Sequence, residues 1–195
     1  MYHSGYDVWD ALDRFVTREP DLESLTTLFE QSPDDARGIF LRDRSLLHRC
    51  LENHGSNLDL VRILAESFPE SLLTGDEDGM IPLHLGLEAE NRPLSLEVVQ
   101  YLLEKEPESI ITESSDGRLA LHMACQGSAD SSVVELLLKS DPYAIQHRDD
   151  FGLCPLHYAI TREYQATEVC KMLLAIDKGP LSLPDVNGKL LLHLT

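Results

Sequence analysis

One feature constrains this chain more than any other: a short Leu-His segment recurs five times along it. The copies are SLLHRC at Ser45–Cys50, IPLHLG at Ile81–Gly86, LALHMAC at Leu119–Cys125, CPLHYA at Cys154–Ala159 and LLLHLT at Leu190–Thr195. Their histidines, His48, His84, His122, His157 and His193, follow one another at 36, 38, 35 and 36 residues. A period in the mid-thirties is the mark of a stacked helical array, in which each unit is too small to bury its own apolar face.

A second landmark keeps the same beat. Twenty and nineteen residues before each histidine stand Leu28-Phe29, Leu64-Ala65, Leu102-Leu103, Leu137-Leu138 and Leu173-Leu174. Four residues earlier stand Ser24-Leu25, Leu60-Val61, Val98-Val99, Val133-Val134 and Val169-Cys170. Apolar pairs four apart make the buried stripe of a helix. Pro33, Pro69, Pro107 and Pro142, each 15 residues before a histidine, bar that helix from continuing. The fifth unit departs, with Lys178 there and Pro180 two residues on.

All variation in the period therefore lies between a histidine and the next long helix: 12 residues to Leu60, 14 to Val98, 11 to Val133 and 12 to Val169. Stacked segments cannot change length without losing register, whereas a peripheral loop such as Glu90–Pro93 tolerates insertion. Each unit reads as a turn, a short helix from the Leu-His segment, a variable loop and a longer second helix. Gly79, Gly117, Gly152 and Gly188 lie just before the short helices, where a tight turn needs positive φ. Pro82 and Pro155 suit a first helical turn, which needs no backbone donor.

Read together, D/N-G-x-x-P-L-H-x-A followed by a VVxLL-type helix resembles the ankyrin repeat family, over Pro20 to Thr195. The resemblance implies an all-α fold, a helix-turn-helix repeat solenoid. It also sets residues 1–195 out as a single array: an N-terminal capping helix pair in 1–33, four repeats in 34–178 and an incomplete fifth in 179–195. Val8, Trp9, Leu12, Phe15 and Val16 give the cap its apolar face, with Asp7, Asp10, Asp13 and Arg14 outside. At the other end Thr195 stops inside a short helix, so either the array is a fragment of a longer one or that edge pairs with something. The chain departs from the family in three ways. Ile81, Leu119, Cys154 and Leu190 stand where the family has a helix-capping Thr, leaving Ser45 as the one side chain able to cap. Phe68, Glu106 and Asp141 replace the helix-ending Gly. The period also exceeds the 33 residues usual for the family, which marks a divergent, long-period branch.

Composition narrows what such an array can meet. With 16 Lys+Arg against 34 Asp+Glu the formal net charge is −18. That charge repels nucleic acid backbones and anionic membranes and draws in basic partners. Cys50, Cys125, Cys154 and Cys170 show no disulfide framework and read as reduced thiols. The N-terminus lacks a basic start and apolar block, and no stretch has the ~18 apolar residues of a membrane span. The expectation is an intracellular protein, cytoplasmic or nuclear.

His48-x-Cys50, His122-x-x-Cys125 and Cys154-x-x-His157 suggest a metal-binding protein. Each pair falls on a separate unit, however, and stacked helices are ~8–10 Å apart, too far for two such pairs to converge on one zinc. By the family resemblance, His48, His84, His122, His157 and His193 instead have a structural role, each bonding the neighbouring turn. No phosphate loop, G-x-S-x-G or H-E-x-x-H is present, so neither an enzyme nor a cofactor is expected.

The resemblance further implies a protein–protein interaction scaffold or adaptor, with a partner on the turn tips and first-helix concave face. By position these residues are Glu77, Asp78, Met80, Glu88 and Ala89 in one unit, and Ser115, Asp116, Arg118 and Gln126 in the next. The following unit gives Asp150, Phe151, Leu153, Thr161 and Arg162, with Met80 and Phe151 as apolar anchors at exposed turns. The alternative is a non-catalytic targeting or autoregulatory part of a longer enzyme or channel.

Overall fold

The computed structural model describes residues 22–31, 44–55, 57–89, 92–127, 129–161 and 166–182. Helices are the only regular elements among them. In chain order they are α1 (Leu22–Gln31), α2 (Leu46–His54), α3 (Leu58–Ser67), α4 (Pro82–Glu88), α5 (Leu96–Lys105), α6 (Ala120–Gln126), α7 (Ser131–Ser140), α8 (Pro155–Ile160) and α9 (Ala166–Ile176). The short helices α2, α4, α6 and α8 stack in sequence as one layer. The long helices α1, α3, α5, α7 and α9 stack as the other.

The apolar pairs are what hold the layers together. Leu60, Val61, Leu64 and Ala65 of α3 are buried, as are Val98, Val99 and Leu102 of α5, and Val133, Val134, Leu137 and Leu138 of α7. In α9, Val169 and Leu173 continue the row, and Phe29 of α1 joins it edge-on against the Phe68 ring at 5.0 Å. Each fully buried Leu or Val contributes ~1.5–3 kcal/mol. Because every unit repeats the pattern, the core runs as one stripe between the layers.

Local chemistry sets the helix ends. Ser45 Oγ, Asn57 Oδ1 and Ser95 Oγ accept from the backbone N–H groups of His48, Leu60 and Val98, capping α2, α3 and α5. Phe68, Glu106 and Asp141, each before a proline, adopt extended geometry with φ of −141°, −137° and −139°. Beyond them lies an element the sequence reading did not anticipate. Pro69–Leu72, Pro107–Ile110 and Pro142–Gln146 each form a turn of 3₁₀ helix, and Gly179–Ser182 another. Proline's fixed φ suits such a turn, and Leu72, Ile110 and Ile145, three residues past each proline, are buried by it. The Ser71 and Ser109 hydroxyls close two of these turns, donating to the carbonyls of Phe68 and Glu106 at 2.7 Å.

Several expectations lie outside the described residues: the Val8–Val16 cap, Pro33, Glu90 and Asn91 of the longest loop, Arg162, Gly188, and the Leu190–Thr195 segment with His193. Of the expected cap and fifth repeat, the described parts are α1 and the Gly179–Ser182 turn.

Candidate partner-binding face

The turns ahead of α4, α6 and α8 share one construction. Gly79, Gly117 and Gly152 hold φ of 66°, 75° and 75°, a conformation other residues adopt only with strain. Across each turn a backbone pair closes: Asp76 N–H donates to the Met80 carbonyl, Ser114 N–H to Arg118 and Asp149 N–H to Leu153, at 2.9–3.0 Å. A side chain at the turn's first position completes it. Asp76 Oδ1 accepts from the N–H groups of Asp78 and Met80 at 3.1 and 3.0 Å. Asp149 Oδ1 accepts from Phe151 and Leu153 at 3.0 and 2.8 Å, and Ser114 Oγ from Arg118 at 3.2 Å.

The tips are also bonded to one another. Ser115 N–H donates to the Asp78 carbonyl and Asp150 N–H to the Asp116 carbonyl, both at 2.9 Å. The result is a continuous backbone ribbon along one edge of the stack.

Beneath the ribbon sit the histidines. In His48, His122 and His157, Nδ1 accepts from the backbone N–H of Ser45, Leu119 and Cys154 at 3.0–3.1 Å. A ring taking a proton at Nδ1 carries its own on Nε2. From there His48 donates to the Met80 carbonyl at 2.8 Å and His122 to that of Leu153 at 3.3 Å. Among Ser45, Ile81, Leu119 and Cys154 only Ser45 caps its helix with its own side chain, as expected. At Ser45, Leu119 and Cys154 the histidine ring bonds back to the cap residue's N–H. Ser45 Oγ lies 2.7 Å from His48 Nδ1, and the Cys154 thiol takes the same place 3.0 Å from His157 Nδ1. His84 differs: although Thr112 backbone lies nearby, neither ring nitrogen meets a partner at hydrogen-bond geometry. Burial lowers the pKa of both His84 and His122 to about 4, so both rings are neutral at pH 7.

The face residues fall into three groups. Glu77, Asp78, Ser115, Asp150 and Phe151 are exposed at the tips, Phe151 at 49%. Glu88, Asp116, Arg118, Gln126 and Leu153 are part-buried, and Arg118 ties several of them together. It lies 3.2 Å from Asp116, 3.7 Å from Glu88 and donates to Gln126 at 2.9 Å. Met80 is the correction. Placed at an exposed turn by sequence, it is 4% exposed and packs into the core cluster. Sequence reasoning also missed a second arginine. Arg44 stands four residues before His48, as Arg118 does before His122, and reaches Asp76 at 3.2 Å and Glu52 at 3.4 Å. That shared offset was the available signal.

Burial raises the pKa of Cys50, Cys154 and Cys170, which disfavours the thiolate form. Among the described residues, no group of three or more His, Cys, Asp or Glu side chains could hold a metal ion, and no helix is long and apolar enough to cross a membrane.

A short helix, a loop, a long helix and a glycine turn, repeated and stacked in one direction, define a helix-turn-helix repeat solenoid. A family model of ankyrin repeats, in three copies, matches residues 89–182, which supports an ankyrin repeat family for this part of the chain. The unit ahead of that range, with His48, α2 and α3, has the same geometry. A search of curated proteins returned no match. Ankyrin repeats are protein–protein interaction modules, and domains of this kind are generally non-catalytic.

Proposed function

We propose that this chain is an intracellular scaffold or adaptor that holds another protein against its turn tips and first-helix face, without catalysing a reaction. The observation that carries this reading is the bonded row of tips, which presents exposed Asp150 next to the half-exposed ring of Phe151 and exposed Asp78 two turns along. An aromatic ring on a rigid support gives a partner an anchor with little ordering cost. The surrounding acidity, part of a net charge of −18, steers a basic segment of the partner onto it and repels nucleic acids and anionic membranes.

The test is a pull-down from cell extract that compares the wild-type chain with Phe151→Ala and with Asp150→Lys. Partner recovery falls for both variants while their melting temperatures stay near wild type. Unchanged recovery with both would overturn the assigned face.

A further inference from the structure

The repeats allow one unit to be compared with the next, position by position. Asp76 and Asp149 stand eight residues before His84 and His157, and each folds its own tip by accepting two backbone N–H groups at Oδ1. Both are buried, with 2% of the Asp76 side chain and 5% of Asp149 exposed. A buried carboxylate needs a donor for its other oxygen as well. Asp76 finds it in the preceding unit, where Arg44 Nε donates to Oδ2 at 3.2 Å. Arg118 stands in the same relation to Asp149, four residues before His122 as Arg44 is before His48. In the unit between, where Met80 replaces the arginine, Ser114 replaces the acid.

The second arginine does not do what the first one does. Arg118 Nε is buried and makes no hydrogen bond. Its Nη1 does follow Arg44: it donates to Gln126, four residues after the histidine, as Arg44 Nη1 donates to Glu52. What differs is the residue just after the next histidine. It is Leu85 in the unit of Asp76 but Tyr158 in that of Asp149, and the Tyr158 hydroxyl donates to Asp149 Oδ2. Burial and that bond push the phenol's pKa up, so the hydroxyl stays a donor. Tyrosine thus occupies the oxygen that the register offers to arginine, and a buried guanidinium N–H is left unpaired at some cost.

We propose that Asp149 is the centre of a two-position switch, in which Oδ2 is held either by the Tyr158 hydroxyl, as here, or by Arg118 Nε, as Asp76 is held by Arg44. The first state keeps Arg118 Nη2 on Asp116 at 3.2 Å and Nη1 near Glu88 at 3.7 Å. The second gives Nε its acceptor at the expense of those contacts, while the part-buried Tyr158 side chain on α8 turns its hydroxyl to solvent. The fork of donors on one guanidinium makes the exchange a short rotation, since Nη1 keeps Gln126 throughout. Whatever draws the hydroxyl off Asp149 therefore turns Arg118 inward and frees Glu88 and Asp116. A contact made on one unit is in this way felt on the units before it.

The test is the Tyr158→Phe variant of the full chain, which removes only the hydroxyl, compared with wild type by NMR at the arginine Nε–Hε groups. Arg118 is assigned by the signal that disappears in Arg118→Lys, and Arg44 likewise by Arg44→Lys. In wild type the Arg118 Hε is expected upfield of the hydrogen-bonded Arg44 Hε, and in Tyr158→Phe it is expected to move downfield to join it. An Arg118 Hε that is already hydrogen-bonded in wild type, or that does not move in the variant, would overturn the proposal. A thermodynamic cycle gives a second readout. Arg118→Lys removes the Nε donor but keeps the charge, and it is expected to lower the folding equilibrium constant about tenfold more when combined with Tyr158→Phe than in wild type. Equal losses in the two backgrounds would also overturn the switch. So would a Tyr158→Phe chain that does not fold, because Arg118 is expected to take over the carboxylate.

Discussion

His122 donates from Nε2 to the carbonyl oxygen of Leu153, 31 residues away and in the next repeat. Its other nitrogen accepts the Leu119 N–H at the start of its own helix. One ring therefore satisfies an orphan donor at a helix end and fixes the position of the neighbouring turn. His48 does the same between Ser45 and Met80. Both bonds require a neutral ring, since a proton on Nδ1 would face the amide hydrogen it now accepts.

Replacing His122 with alanine is expected to destabilise the array by ~2–4 kcal/mol, because it leaves the buried Leu119 N–H unpaired and opens a cavity. Urea denaturation followed by circular dichroism measures this. His84 offers the contrast. With no hydrogen bond at either nitrogen, His84→Leu is expected to stay within ~1 kcal/mol of wild type or to stabilise. A loss as large as that of His122→Ala would show that His84 is bonded after all.

Stability is expected to fall as the pH drops from 7 towards 5. His84 and His122 have pKa values of about 4, below the ordinary 6.5, so the unfolded chain takes up protons in this window that the native rings refuse. Their contribution is complete above pH ~6.5 and is lost progressively towards pH 4, on the order of 3 kcal/mol for each ring. Denaturation midpoints at several pH values check the sign. A midpoint that rises on acidification between pH 7 and 5 would contradict it.

Gly127→Ala is expected to be far more damaging than Gly86→Ala. A Cβ on Gly127 would come within 1.9 Å of the Leu87 carbonyl oxygen, backbone that cannot yield without separating α4 from α6. A Cβ on Gly86 would have its nearest contacts with the Leu94 side chain, from 2.8 Å, and that flexible end can rotate away. Thermal melting of the two variants ranks them, and equal losses would remove the case for close backbone approach at Gly127.

Phe151→Ala is expected to change stability by no more than ~0.5 kcal/mol, because the ring is half in solvent. Differential scanning calorimetry decides it. A loss above ~1.5 kcal/mol would mean that the ring is held by its neighbours and is no free anchor.

Much of the architecture was legible in one dimension. The constant distance from the Val98-type pairs to the following histidine located α3, α5, α7 and α9, because a stacked face must keep its register. The prolines at 69, 107 and 142 gave the helix ends, because their predecessors are forced out of α geometry. Gly79, Gly117 and Gly152 marked the turns for the same kind of local, steric reason. The 3₁₀ turns after the prolines were missed, although buried Leu72, Ile110 and Ile145 repeat the offset that would have revealed them.

The face was legible only as a set of positions. Sequence placed Met80 and Phe151 alike, one residue after and one before a turn glycine, yet one is buried and the other half-exposed. Met80 packs into the core cluster shared by neighbouring units, whereas Phe151 stands at a turn tip. The sequence by itself determined the repeat, its period and its helices, since these follow from local sterics and a periodic apolar stripe. The tertiary structure alone decided which side chains turn inward and which are left exposed, because burial depends on how neighbouring units pack against each turn.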